Sequence, residues 1–116
     1  MKTKSQPKIK FETIRYADLS TKYITRTDGE LIGIKTAPGH IGSTDPREED
    51  GESEGDFFAV QLDKECFQQQ IQDMQAFGFS EHFIHIFKLL HQQRIQYVRI
   101  DANGGEVDGD LPIFDW

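Results

Sequence analysis

The stretch from Asp63 to Arg94 constrains this chain most, because it carries two consecutive helix patterns with their stop and start signals in place. Phe67, Ile71 and Met74 recur at i, i+4 and i+7, while Gln68, Gln69, Gln72 and Gln75 occupy the other face. That spacing predicts an amphipathic helix from about Lys64 to Phe77, with Asp63 as its N-cap and Gly78 at its C′ position. Ser80 then caps a second helix, and Phe79 and Ile84 are placed to staple its start. Phe83, Ile86, Phe87 and Leu90 define that helix's apolar face, with Leu89 beside them, and His91 to Arg94 ends it. Two apolar stripes in succession need a common surface to cover.

Extended segments supply that surface. Lys8 to Glu12 alternates Ile9 and Phe11 with charged residues, the pattern of a half-buried strand. Lys22 to Thr25 is a second extended candidate. Beyond it, Asp28-Gly29 between Tyr23-Ile24-Thr25 and Leu31-Ile32-Gly33-Ile34 predicts a type I′ hairpin. A competing signal, Thr27 followed by Glu30, is a capping box and would start a helix over Asp28–Lys35. Gly29 and Gly33 each weaken a helix by about 1 kcal/mol relative to Ala, so propensity favours the hairpin. Phe57 to Leu62 and Ile95 to Ile100 are short apolar runs of strand length. Asn103-Gly104-Gly105 breaks the second of them, and the tail from Leu111 to Trp116 is apolar enough to dock on a core. The expected architecture is α+β: a small sheet of three to five strands with two consecutive helices packed on one face.

With 116 residues, the chain fits one domain, 1–116. It can bury roughly two-thirds of its unfolded surface. The single Cys66 excludes an internal disulfide, and no apolar run approaches the ~20 residues of a membrane span. A soluble cytoplasmic protein is expected.

Its formal charge of −7 is unevenly placed. The first ten residues carry four lysines and no acid, and residues 1–7 read as a basic, flexible arm. Seven acids, Asp45, Glu48, Glu49, Asp50, Glu52, Glu54 and Asp56, stand against Arg47 alone between Thr44 and Asp56. That stretch has no aliphatic or aromatic side chain, so residues 37–56 are expected to form an acidic, mobile loop. As a bland feature it is a solvated loop. As a functional one it is a surface for a basic protein, including one whose groove normally holds nucleic acid. The acidic balance disfavours direct nucleic-acid binding, and the lysine arm lacks interleaved aromatics.

Signals for chemistry are weak. His82 and His85 stand three apart on a helix beside Glu81, a spacing that can share a metal, but no third ligand follows at a recognised spacing. His91 points elsewhere and His40 lies in a Gly-rich stretch. Cys66 falls in a first helical turn, where the dipole would lower its pKa, yet no base or cysteine-protease signature accompanies it. A core or boundary cysteine is the expected role. Asp101 to Pro112 resembles a Ca²⁺ loop in its first and third places only. Glu106 stands where Gly is needed, and Pro112 where a bidentate Glu is needed. No phosphate loop, dinucleotide fingerprint or nucleophile elbow is present. The sequence therefore predicts no enzyme, no cofactor and no metal.

The ending Tyr97-Val-Arg-Ile-Asp101-Ala-Asn103-Gly104, closing on Leu111-Pro112-Ile-Phe114-Asp115-Trp116, resembles a family of short, functionally uncharacterised proteins of bacterial plasmids and integrated elements. Phe77-Gly78-Phe79-Ser80 and Leu19 to Thr25 are similar as well, while the acidic insertion departs from that pattern. The resemblance implies a cytoplasmic accessory protein used by mobile DNA against host defence or in its maintenance. It also favours a helix over the hairpin after Thr25, and transfers no catalytic residue. The leading expectation is a non-enzymatic protein that binds a basic protein surface through the acidic residues. The alternatives are a metal-binding protein or metal-dependent enzyme using His82 and His85, and a self-associating homodimer.

Overall fold

The computed structural model describes residues 11, 13–44 and 54–114. Four strands form one mixed sheet in the order β1-β4-β3-β2: β1 (Tyr16–Ser20), β2 (His40–Thr44), β3 (Glu54–Ala59) and β4 (Tyr97–Asp101). β4 runs parallel to β1 and antiparallel to β3, and β3 pairs antiparallel with β2. Three helices interrupt the strands: α1 (Arg26–Ile32), α2 (Lys64–Phe77) and α3 (Glu81–Gln92). The fold is α+β, with α2 and α3 consecutive as the sequence predicts.

Alternation sorts the strands by face. Leu19, Phe58, Val98 and Ile100 point into one core, where Phe67, Ile71 and Met74 of α2 meet Phe83, Ile86, Phe87 and Leu90 of α3. Phe58 is the hub of this layer, edge-on to Phe83 at 6.2 Å and to Phe87 at 5.9 Å between centroids. The opposite face carries a stacked pair, Tyr16 on Tyr97, and the cross-strand pair Asp18–Arg99. Both helix starts form as expected. Asp63 accepts from the amides of Glu65 and Cys66, and Ser80 accepts from Phe83. Gly78 closes α2 at φ 111°, a conformation that L side chains avoid.

Several local expectations are corrected. The segment from Lys22 to Thr25 is not a strand. Thr21–Tyr23 is one turn of 3₁₀ helix, and α1 replaces the expected hairpin. The cap of α1 is Thr25 rather than Thr27, with Asp28 where a capping box has its acid. Phe11 lies outside any strand and is 82% exposed, against the half-buried strand expected there; residues 8–10 and 12 lie outside the described residues. β3 begins three residues before the predicted apolar run, and β4 ends one residue later than predicted.

The irregular stretch expected over 37–56 contains β2 and the start of β3. His-Ile-Gly-Ser-Thr has one large aliphatic residue, so neither period nor propensity marks it. Its pairing with β3 supplies the order, with register shifts on both sides of Gly42.

Candidate functional site

Of the seven acidic residues singled out above, Asp45, Glu48, Glu49, Asp50 and Glu52 lie outside the described residues. Glu54 opens β3 opposite Thr44, at the end of the β2–β3 pairing. Asp56 sits in β3, where its Oδ1 accepts from His40 Nε2 at 3.1 Å, so it belongs to the hairpin body rather than to a loop. The His40 ring is itself nearly buried, edge-on to Phe58 at 5.2 Å. The acid-rich residues fall in sequence between β2, the edge strand farthest from β1, and β3, its neighbour in the sheet.

The histidines do not converge. His82 Nε2 donates to the Tyr23 carbonyl at 2.7 Å, and His91 Nε2 donates to the Leu62 carbonyl at 3.1 Å while its ring stacks on Phe67 at 4.0 Å. His85 is exposed on the same helix. Among the described residues, no group of three or more His, Cys, Asp or Glu side chains is close enough to hold a metal ion. A hydrogen bond to a carbonyl fixes the proton on Nε2, leaving only Nδ1 of His82 and His91 for any other role.

Cys66 is exposed, not a core or boundary residue. Its thiol pKa is raised, first by the hydrogen bond with Asp63 and then by that carboxylate's charge, with Glu65 adding to it. The hydrogen bond to Asp63 and the negative charges of Asp63 and Glu65 outweigh the expected dipole effect. The Cys66 amide first, then its thiol and the Glu65 amide, hold the Asp63 carboxyl below its usual range by hydrogen bonding. A thiol held neutral beside two acids is a poor nucleophile.

The segment after β4 forms a strap across β1 and the 3₁₀ turn, not a cation cage. Asp101 is engaged locally, its Oδ2 accepting from the Asn103 amide at 3.0 Å. Gly104 and Gly105 cross the end of β1 at backbone contact. A Cβ on Gly104 would lie 2.3 Å from the Leu19 carbonyl oxygen, and Ser20 N donates to Gly105 O at 3.1 Å.

Glu106, out of place in a Ca²⁺ loop, takes hydrogen bonds from Lys22 Nζ at 2.5 Å and from the Tyr23 hydroxyl at 2.8 Å. Tyr23 Oη in turn accepts from the Val107 amide at 3.0 Å. The Lys22 and Tyr23 hydrogen bonds hold the Glu106 carboxyl below its usual range, and the Glu106 hydrogen bond pushes Lys22 up. Farther on, Phe114 N donates to Lys22 O at 2.7 Å and its ring meets His82 at 5.0 Å. The tail therefore docks at least as far as Phe114; Asp115 and Trp116 lie outside the described residues.

Between this strap, β1 and α3 lies a half-enclosed groove of about 360 Å³. Ala17, Leu19, Ile86, Leu89, Val107 and Leu111 wall it, and Asp18, Glu106 and Asp108 stand at its rim. Composition hinted at a docked tail but not at this groove, because its walls come from three segments far apart in sequence.

A family model described as the C-terminal domain of a family of unknown function, DUF5983, matches residues 16–116. The chain belongs to that family. The matched span starts at the first residue of β1 and takes in every strand and helix described above. No curated protein and no solved structure matched the chain.

Proposed function

We propose that this DUF5983-family domain is a non-enzymatic binding protein that engages a basic protein surface through the acidic segment joining β2 to β3. The carrying observation is one of charge: residues 44–56, which follow β2 and run into β3 in sequence, hold nearly all of the molecule's net −7. Carboxylates at that density attract a Lys/Arg-lined surface over a distance set by ionic strength, which accelerates encounter and selects against acidic partners. The described residues supply rigid docking for the segment: β3 is central in the sheet, and Asp56 is pinned by His40.

In this reading the protein serves a bacterial plasmid or integrated element in the cytoplasm. It occupies the basic surface of a host defence protein, as the terminal motif's resemblance suggests. Its occupant surface is a groove that otherwise holds nucleic acid, so the acidic segment stands in for a phosphate backbone.

The test is capture from the native host at low salt, using the wild type and a variant with Glu48→Gln, Glu49→Gln, Asp50→Asn, Glu52→Gln and Glu54→Gln. A partner with a basic surface should be retained by the wild type, released by raised salt and lost by the variant. A partner held equally well by both proteins at every salt concentration would refute the assignment.

A further inference from the structure

The groove beside β1 calls for a ligand that is apolar where it enters and cationic where it meets the rim. Leu89, Val107 and Leu111 present the apolar wall. At the rim, Lys22 and Arg99 offset Glu106 and Asp18, which leaves Asp108 and the neighbouring Asp110 as surplus negative charge. The chain itself contains a segment of matching chemistry. Phe11 is 82% exposed and Ile14 60% exposed, and Lys8, Lys10 and Arg15 around them outnumber the single acid, Glu12. Two large apolar side chains in water next to an apolar groove of opposite charge is an unfavourable arrangement for an isolated copy.

The geometry disfavours closure within one chain. Arg15 is fixed at the end of the groove, its Nη1 donating to Gln93 O at 2.6 Å and its amide to Gln96 Oε1 at 3.3 Å. Gln93 itself lines the groove. A segment leaving from that point must reverse at once to fill its own groove, and Phe11 and Ile14 stand outside it.

We propose that the groove receives the Phe11–Ile14 segment of a second copy of this chain, forming a reciprocal dimer. Phe11 and Ile14 enter between α3 and the strap, and Lys8 and Lys10 meet Asp108 and Asp110. A volume of about 360 Å³ is at the lower end of the range that takes a specific ligand, and it has room for these two side chains. The exchange is isologous, so it closes at two copies rather than propagating.

Sedimentation of the full chain across the micromolar range, at low and high salt, measures the association. The wild type should dimerise more tightly at low salt, and Phe11→Ser/Ile14→Ser should weaken the dimer by at least about tenfold. Both positions are exposed in the single chain, so the variant keeps its fold. A peptide copying residues 7–15, titrated into the labelled double variant, should move the resonances of Leu89, Val107 and Leu111. A wild type that stays monomeric, or a dimer indifferent to the double substitution, overturns the proposal. So do peptide shifts confined to residues around Asp56, which would assign the segment to the acidic edge instead.

Discussion

Asp28 and Glu106 are both carboxylates that tie distant parts of the chain to the stretch between β1 and β2, and they do so in opposite surroundings. Asp28 is fully buried. Its Oδ2 accepts from Thr25 Oγ1 at 2.7 Å and Ser80 Oγ at 2.5 Å, and its Oδ1 accepts from Ser80 N at 2.8 Å. Glu106 is 74% exposed and is held by an ammonium and a phenol. The buried carboxyl is held by oriented hydroxyl and amide dipoles at the starts of two helices; the exposed one has a full counter-charge that water and salt can replace. Burial, rather than the formal charge of the partner, decides which of the two is costly to lose.

The largest effect is therefore expected at Asp28. Removing its carboxylate leaves the N-cap hydroxyls of Thr25 and Ser80 and the Ser80 amide, all partly buried, without their acceptor. Asp28→Ala should cost about 3 kcal/mol in urea unfolding, and Asp28→Asn, which keeps the volume but adds an unwanted donor pair, about 1–2 kcal/mol. A loss for the alanine variant within experimental error of zero would show that the helix starts satisfy each other without it.

The same residue explains what the sequence conceals. Asp28-Gly29 is a strong turn dipeptide, and on local grounds a hairpin follows. The helix forms because Thr25 caps it and because Asp28 is spoken for by Ser80, 52 residues away. Non-local demand of that kind leaves no mark in a window of ten residues. By contrast, α2 is legible at both ends and α3 at its start, since Asp63, Gly78 and Ser80 act on their own immediate neighbours. The strap shows both sides. Its apolar tail and glycine break are readable, but in the sequence Glu106 is only a defect in a cation loop, because its partners Lys22 and Tyr23 lie more than 80 residues earlier. The acidic residues themselves were visible as charge, while the hairpin that carries them was not, for want of apolar alternation in β2.

A second comparison separates backbone fit from side-chain clasp within the strap. Gly104→Ala places a methyl group 2.3 Å from Leu19 O and 2.7 Å from Ser20 N, both backbone atoms that no rotamer change moves aside. A loss of about 2 kcal/mol is expected, with weakened protection of the Ser20 and Val107 amides. Gly33→Ala is the control, since nothing lies within 4 Å of its Cβ and its φ of −84° suits any residue. It should be neutral or gain up to about 1 kcal/mol through the unfolded chain. Equal losses at the two glycines would mean that the strap's close approach to β1 contributes nothing.

The smallest effect on global stability is expected at Glu106, and it is best read by pH and local exchange. Its folded-state pKa is depressed, so the clasp contributes fully above the ordinary carboxylate range and is lost as pH falls through the lowered value. Lys22 is raised, so its share is complete below the ordinary lysine value and fades only as pH climbs through the raised one. Between those limits the clasp is insensitive to pH. Glu106→Gln should abolish the acid-side opening, speed exchange at the Val107 amide and leave the urea midpoint almost where it was. Asp28 substitutions should do the reverse, lowering the midpoint while the acid-side opening at Val107 persists. If Glu106→Gln instead shifts the midpoint as far as Asp28→Ala, then strap and core unfold as one unit.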